Sequence, residues 1–172
     1  MKKYLLIDGY NIINSWAVLK EAAEISLEEA RSKLIDLLAD YKSYTGQEIW
    51  VIFDAHQVKG VEDRQDQLMG INIVFTKENQ TADSFIEIKV KELTRNRRNE
   101  VRVATSDWAE QQVIMGSGGI RISSRELLIE IEQNVKKIEI KTDTINKEKS
   151  LLYERIDKKT AKMLDEWRKK KE

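Results

Sequence analysis

The sequence predicts a single α/β domain built on a mainly parallel sheet, and three observations lead to that prediction. Short apolar runs alternate along the chain with segments of helical periodicity, which is the pattern of strand–helix–strand units with right-handed crossovers. The apolar runs are continuous, as expected of parallel strands whose two faces are both covered. The chain has 172 residues, of which 41% are hydrophobic, and this length and core content suit one domain.

Five apolar segments are predicted to form the strands. In chain order they are Lys3–Asp8, Glu48–Asp54, Ile71–Thr76, Val101–Ser106 and Ile120–Ser123. The stretch Ala55–Gly70, between the second and third strands, is polar and has no periodicity, so we interpret it as a loop.

Helices are predicted where apolar residues recur every three or four positions. The first covers Ser26–Tyr44, with Ser26 as its N-cap, Glu29 completing a capping box and Gly46 ending it. Three more are predicted between and after the later strands, over Ala82–Leu93, Trp108–Met115 and Ser124–Val135. The tail from Thr142 onward is predicted to be a long polar helix.

The C-terminal segment differs in charge from the rest of the chain. Residues 136–172 carry 13 Lys and Arg against 8 Asp and Glu, a net charge of +5, which hints at a polyanionic partner. We therefore predict a domain over residues 1–141 and a basic amphipathic helix over 142–172 that packs on it. The apolar stripe of this helix consists of Leu152, Ile156, Met163 and Trp167. Its opposite face carries Lys158, Lys159, Lys162 and Lys169–Lys171.

Composition and motifs argue against several classes of protein. The chain has no Cys, which excludes thiolate metal sites and suits a reducing cytoplasm. The first apolar run is broken at Asp8 and is too short for a signal peptide or a membrane span, so we expect a cytoplasmic protein with no membrane partner. No P-loop motif is present, and GSGG at 116–119 follows a helix rather than a strand, so no nucleotide cofactor is expected.

Carboxylates follow the predicted strands. Asp8, Asp54 and Asp107 each stand at the carboxyl end of one, and Asp83 lies in the first turn of the helix after the third strand. Open parallel sheets place their sites beyond the carboxyl ends of the strands. We therefore expect these four acids to converge on one edge of the sheet.

Converging carboxylates need a cation or a proton, because like charges repel. Oxygen ligands suit Mg²⁺ or Mn²⁺, and such ions activate water and stabilise the leaving oxygen in phosphodiester cleavage. We interpret Asp8, Asp83 and Asp107 as catalytic metal ligands, with Asp54 as a fourth ligand. For any one of them alone, the competing interpretation is a turn or N-cap residue.

Four further residues near the same edge are candidates for substrate binding. Asn11 follows Asp8 by three positions and has an amide suited to a phosphate or a ligand, although a loop hydrogen bond explains it as well. The hydroxyls of Thr105 and Ser106 suit phosphate, and both also suit helix capping. Lys77 lies between the third strand and Asp83, where it is placed to neutralise a phosphate, although exposed lysines are common.

Four motifs occur in a fixed order: IDGYN at 7–11, IFDA at 52–55, TADSFIE at 81–87 and ATSDWAEQ at 104–111. Together they resemble the NYN branch of the PIN-like nucleases, most closely its YacP-like subgroup, over about residues 3–135. The resemblance implies a three-layer α/β/α PIN-like fold and an endoribonuclease that uses Mg²⁺ or Mn²⁺. It implies metal-site roles for Asp8, Asp83 and Asp107. One departure is Trp108, since many NYN proteins carry a further acid shortly after the position of Asp107.

The resemblance also implies a partner. The subgroup includes a ribosome-associated endoribonuclease, so the first expectation is cleavage of mRNA in association with the ribosome. Two alternatives stay open: a nuclease of the same fold acting on tRNA, rRNA or flapped DNA, and a catalytically inactive RNA- or ribosome-binding module. The intact set of acids favours a nuclease, because a surface that only binds phosphates gains nothing from crowded carboxylates.

Overall fold

Strands and helices alternate along the part of the chain that the structure, a computed structural model, describes: residues 1–54, 64–106 and 108–169. The strands there are β1 (Lys3–Asp8), β2 (Glu48–Phe53), β3 (Arg64–Leu68), β4 (Ile71–Phe75), β5 (Glu100–Ala104) and β6 (Ile120–Ile122). The helices are α1 (Gly9–Ser15), α2 (Ala17–Ile25), α3 (Leu27–Thr45), α4 (Ala82–Thr94), α5 (Trp108–Gly116) and α6 (Ser124–Lys169). The predicted α/β class is confirmed.

The strands form one sheet in the order β3-β4-β2-β1-β5-β6. Every neighbouring pair is parallel except β3 with β4. In the register, Asp8 lies opposite Ile52, and Ile7 lies opposite Ala104. The carboxyl ends of β1, β2 and β5 therefore lie side by side at one edge of the sheet.

Helices cover both faces of this sheet. Leu5 and Ile7 pack with α1, α2, α3 and the start of α6, whereas Leu6 packs with α4 and α5 on the other face. The predicted three-layer α/β/α fold is therefore confirmed. Each fully buried Leu or Ile stabilises the fold by roughly 1.5–3 kcal/mol, so variants meant to test function are best placed outside these two cores.

Strand β3 corrects the prediction of a loop over Ala55–Gly70. Its sequence, RQDQL, has only one apolar residue, because an edge strand need not contribute to a core. It pairs with β4 through a tight hairpin in which Met69 (φ 52°) and Gly70 (φ 77°) both have positive φ. Such turns favour Asn-Gly or Asp-Gly, and because Met69 stands at the first of these two positions, the sequence lacks the usual signal for a hairpin. Residues 55–63 lie outside the described part.

The predicted elements leave residues 9–25 unassigned, and the chain forms α1 and α2 there. Helix α1 starts directly after β1, where a Cβ on Gly9 would lie 2.2 Å from Cε1 of Phe53, so only glycine fits without displacing that ring. Between α1 and α2, Trp16 is 2% exposed, and its indole N–H donates to the carbonyl of Ser124 at 2.8 Å. This bond fixes the start of α6.

The caps predicted for α3 are present. The Ser26 hydroxyl accepts a hydrogen bond from the backbone N–H of Glu29 at 3.0 Å, and Gly46 ends the helix in the left-handed conformation at φ 67°. The reciprocal half of the capping box is absent from this described segment. The backbone N–H of Ser26 donates to Ala22 instead, and the Glu29 carboxylate lies 4.0 Å from the Lys33 ammonium.

The chain divides into two compact units, Met1–Glu132 and Gln133–Glu172. The helices predicted over Ser124–Val135 and from Thr142 are one helix of 46 residues, α6, because no Gly or Pro interrupts the sequence between them. Of the predicted apolar stripe, Met163 is 63% exposed and the other three side chains lie outside the described ones, so the packing of this stripe stays a prediction. No described helix is both long and apolar enough to cross a membrane.

Candidate active site at the carboxyl edge of the sheet

Asp8 ends β1 and caps α1. Its Oδ1 accepts a hydrogen bond from the backbone N–H of Asn11 at 3.2 Å. Burial of the carboxyl and the negative charges of Asp83 and Asp54 raise the pKa of Asp8 to about 6, although the backbone N–H groups of Asn11 and Tyr10 act in the opposite direction. Asp8 is therefore a carboxylate whose surroundings favour a bound proton or a cation.

Asp54 comes directly after β2 and connects that strand to α4. Its Oδ1 accepts a hydrogen bond from the backbone N–H of Ala82 at 3.0 Å, and the Thr76 hydroxyl lies 3.5 Å from the same oxygen. The carboxylate thus binds an N–H group at the first turn of α4, where the helix dipole favours negative charge. Asp54 therefore positions the helix that carries Asp83.

Asp83 is exposed in the first turn of α4. The turn is capped by Thr81, whose hydroxyl accepts a hydrogen bond from the backbone N–H of Ser84 at 3.2 Å. The charge of Asp83 lies close enough to Asp8 to raise the pKa of that carboxyl. The structure thus places Asp8, Asp54 and Asp83, which come from three separate segments, at one edge of the sheet.

Asn11 connects α1 to the segment that follows β5. Its Oδ1 accepts two hydrogen bonds from Ser106, one from the backbone N–H at 3.0 Å and one from the hydroxyl at 2.8 Å. Asp107, the next residue, lies outside the described residues. Two of the predicted substrate-binding residues therefore contact each other, and they fix the backbone just before a predicted metal ligand.

Thr105 and Lys77 occupy different environments at this edge. Thr105 is fully buried, its N–H donates to Ile122 at 3.3 Å, and its carbonyl accepts from the Gln111 side chain at 3.1 Å. Full burial argues against direct contact between the Thr105 side chain and a substrate. Lys77 is exposed in the turn between β4 and α4, where its carbonyl accepts from the N–H of Gln80 at 2.9 Å.

The donor set suits a hydrated divalent cation. Among the described residues, which exclude Asp107, no group of three or more acidic, His or Cys side chains is arranged to hold a metal ion. Mg²⁺, however, commonly keeps several waters and binds proteins through one or two carboxylates together with substrate phosphates. Burial is the main cause of the raised pKa of Asp8, and the additional repulsion from Asp83 and Asp54 is what a cation at this edge would relieve.

A group of contacts beside the acids was not predicted from the sequence. The Tyr10 hydroxyl accepts a hydrogen bond from Nη1 of Arg31 at 3.0 Å, and the Tyr10 ring lies 5.1 Å from that of Phe53. Arg31 is also 5.9 Å from the centre of the Phe75 ring. The position of Tyr10, two residues after Asp8, is the one sequence signal that hints at this group.

Comparison with known proteins matches almost the whole chain. The family model described as YacP-like NYN domain matches residues 5–169. A Bacillus subtilis (strain 168) protein named "Uncharacterized protein YacP" is 43% identical over 164 residues, which are 95% of this chain and 95% of that protein. The crystal structure of Rae1 (YacP) from Bacillus subtilis matches with 43% identity and a TM-score of 0.72, covering 96% of this chain and 94% of that chain. A tryptophan-to-leucine mutant of Rae1 matches with 42% identity and a TM-score of 0.72, over 85% and 84% of the two chains.

Proposed function

This chain belongs to the YacP-like NYN domain family, whose fold is that of a nuclease, and from that premise we propose that it is a divalent-metal-dependent endoribonuclease hydrolysing RNA phosphodiester bonds. One observation carries the proposal. Asp8, Asp54 and Asp83 share one edge of the sheet, and burial together with the negative charges of Asp83 and Asp54 raises the pKa of Asp8 to about 6. A surface that only binds RNA phosphates would be weakened by such crowding, whereas a metal-dependent nuclease needs it.

Each residue has a defined task in this proposal. Asp8 and Asp83, together with Asp107, hold Mg²⁺ or Mn²⁺. When bound, the ion supplies a Lewis acid for the scissile phosphate and lowers the pKa of water that attacks it. Asp54 holds the first turn of α4 in place, which keeps Asp83 at the edge. Lys77 neutralises a phosphate of the RNA strand.

Asn11 and Ser106 act as positioning residues. Their two mutual hydrogen bonds fix the backbone before Asp107, so the third acid is presented to the same ion. The acceptor of Asn11 is already taken by Ser106, which leaves its amide N–H groups as the part suited to a phosphate. Thr105 supports this segment from the core.

The proposed substrate is mRNA in association with the ribosome, in the cytoplasm. Two features support this: the family, which implies RNA as the substrate, and the basic C-terminal segment. Residues 136–172 carry a net charge of +5, which favours contact with a polyanion as large as rRNA.

A cleavage assay tests the activity. A labelled single-stranded RNA is incubated with wild type, Asp8→Asn and Asp83→Asn in Mg²⁺, Mn²⁺ or EDTA. We expect cleavage by wild type that EDTA abolishes, and a loss of at least about 100-fold in both variants, as for removal of a transition-state-stabilising group. Asp36→Asn is the matched control, because Asp36 is an exposed acid on α3.

The outcomes separate the candidate functions. If the wild-type protein binds RNA or ribosomes but cleaves no RNA with either metal, the result would support the alternative of a catalytically inactive binding module. Cleavage of RNA that survives in both Asp8→Asn and Asp83→Asn would remove these residues from the mechanism. Co-sedimentation with ribosomes, combined with mapping of the cleaved sites, distinguishes mRNA from tRNA, rRNA and flapped DNA as the substrate.

A further inference from the structure

A cavity of about 510 Å³ opens between α3, the end of β2 and the β3–β4 hairpin. Its apolar wall includes Phe53 and Phe75, whose rings stack with centroids 5.5 Å apart and 25° between their planes. Phe53 is fully buried and Phe75 is half-buried, so Phe75 is the ring that faces the cavity. The volume lies in the range of sites for small organic ligands. The described acids at the carboxyl edge of the sheet, here called the acidic edge, are Asp8, Asp54 and Asp83, and none of these three lines the cavity.

The cavity is continuous with the acidic edge through two residues. Phe53 immediately precedes Asp54, and successive strand residues point to opposite faces, so the ring faces α3 while the carboxylate contacts the start of α4. Tyr10 follows Asp8 by two residues and contacts both the Phe53 ring and Arg31. A strand of nucleic acid that crosses the end of β2 would therefore reach both the acids and the cavity.

Arg31 is held at the border of this cavity. Tyr10 accepts a hydrogen bond from its Nη1 at 3.0 Å, and its guanidinium lies 5.9 Å from the centre of Phe75. A guanidinium fixed in this way can stack on a planar ring and also donate hydrogen bonds to it. Aromatic rings and Arg planes are the groups on which proteins stack splayed-out RNA bases.

The geometry points to a pocket for one unpaired nucleobase, supplied by the same RNA strand whose phosphodiester lies at Asp8 and Asp83. This inference rests on the proposed nuclease function and adds that the substrate must be single-stranded next to the cleaved bond. The base stacks on Phe75 beside Arg31. Its edge meets the carboxylates of Glu28 and Asp66, which line the same cavity and accept hydrogen bonds from amino or imino groups.

Charge favours a base over a phosphate in this pocket. Among its described lining residues the charged groups are Glu28, Asp66 and Arg31, so negative charge exceeds positive charge there. A phosphate would be repelled by two carboxylates, whereas a neutral base with N–H donors is not. Base pairing would occupy those same N–H donors and bury the ring face, so a duplex cannot fill the pocket.

Binding measurements test the pocket without requiring cleavage. The probe is a short single-stranded RNA carrying 2-aminopurine at one position after another, added to Asp83→Asn so that the strand stays intact. We expect fluorescence quenching at one position only, where the base stacks on Phe75. Phe75→Leu and Arg31→Gln should each remove that quenching and weaken binding of the strand by about 5- to 150-fold, the range for loss of one base–aromatic stack.

Tyr44→Leu removes a partly exposed aromatic residue that does not line the cavity, and it should bind the strand as Asp83→Asn does. Thermal melts of all variants check folding, and Arg31→Gln, at a half-buried position outside the two cores, provides the second test if Phe75→Leu proves unstable. If affinity and quenching are unchanged in both pocket variants, the proposal of a base pocket is wrong, whereas the proposed nuclease function is unaffected.

Two further results separate the pocket from the nuclease. In one, the fluorescence is quenched at one position and the quenching depends on Phe75, but the wild-type protein cleaves no RNA. That result would support the pocket and reject the proposed function. Dimerisation that Leu68→Glu abolishes, with no quenching at any position, would assign the cavity to a second copy of the chain, because Leu68 lines it and is 52% exposed.

Discussion

Ser106 donates two hydrogen bonds to the single acceptor oxygen of Asn11, across 95 residues of sequence. One comes from its backbone and the other from its hydroxyl, so the segment after β5 is fixed to α1 by main chain and side chain at once. Since Asp8 caps the same helix, Asp8 and the residue just before Asp107 are both held by α1.

Asn11→Ala should lower RNA cleavage more than Ser106→Ala does. The first variant loses both hydrogen bonds, whereas the second keeps the one from the backbone. We expect a stability loss of about 1–2 kcal/mol for Asn11→Ala and about half that for Ser106→Ala. Expressed as free energies of activation, the loss of kcat in the double variant should be smaller than the sum of the two single losses, as a double-mutant cycle would show. Additive losses would mean that the two residues act independently.

Asp8 should make the metal-free protein less stable as the pH rises. The pKa of Asp8 is raised from 3.8 to about 6, so the folded state holds its proton more tightly than the unfolded chain. The resulting stability is fully present below pH 3.8 and is lost as the pH rises through about 6. The loss is on the order of 2–3 kcal/mol.

Denaturation of wild type and Asp8→Asn in EDTA, from pH 4 to pH 8, measures this effect. Asparagine keeps the oxygen that caps α1 but cannot ionise, so the variant should lose this component of the pH dependence and be the more stable protein at pH 8. Asp36→Asn, which changes an exposed acid, should follow wild type. Parallel curves for wild type and Asp8→Asn would contradict the assignment.

Mn²⁺ or Mg²⁺ should stabilise the wild-type protein at pH 8. A cation that binds only the folded state at 100 times its Kd adds about 2.7 kcal/mol to the free energy of unfolding. Asp8→Asn and Asp83→Asn should lose most of that gain, whereas Asp36→Asn should keep it. An equal rise in Tm for all four proteins would show that the metal binds elsewhere.

Asp54 can be assigned as a ligand or a positioning residue by comparing two variants. Asp54→Asn keeps an oxygen that can accept from Ala82, whereas Asp54→Ala does not. If Asp54 acts through α4, the alanine variant should lose about 1 kcal/mol of stability and much of its activity, and the asparagine variant should keep most of both. A stable but inactive Asp54→Asn would instead make Asp54 a metal ligand.

The basic helix is tested by replacing Lys158, Lys159 and Lys162 together with Gln. We expect weaker binding to RNA or ribosomes. The slope of the logarithm of the binding constant against the logarithm of the salt concentration should become shallower by about 0.7 for each lost contact with a single-stranded phosphate. Cleavage of a short, saturating RNA should be unchanged. The matched control replaces three exposed lysines of the first unit, Lys20, Lys33 and Lys91. Equal affinity and salt slope in both triple variants would leave the helix a structural role only.

Much of this architecture is readable from local sequence patterns. The apolar runs ending at Asp8 and Asp54 are visible because a parallel strand needs apolar residues on both faces. Strand β3 escapes detection because its position comes from pairing with β4 rather than from burial. The contact between Asp54 and Ala82, across 28 residues, depends on how α4 docks, and no local pattern encodes it.

The ring of Phe53 is contacted on three sides. It lies so close to Gly9 that a Cβ on that residue would be 2.2 Å away. The ring centroids of Tyr10 and Phe75 lie 5.1 Å and 5.5 Å from its own. The side chain is fully buried and sits one residue before Asp54. The spacing between the proposed base pocket and the acids is therefore set by the buried core rather than by a loop. A nuclease with the proposed pocket would therefore cut its strand at a constant number of nucleotides from the base that it binds.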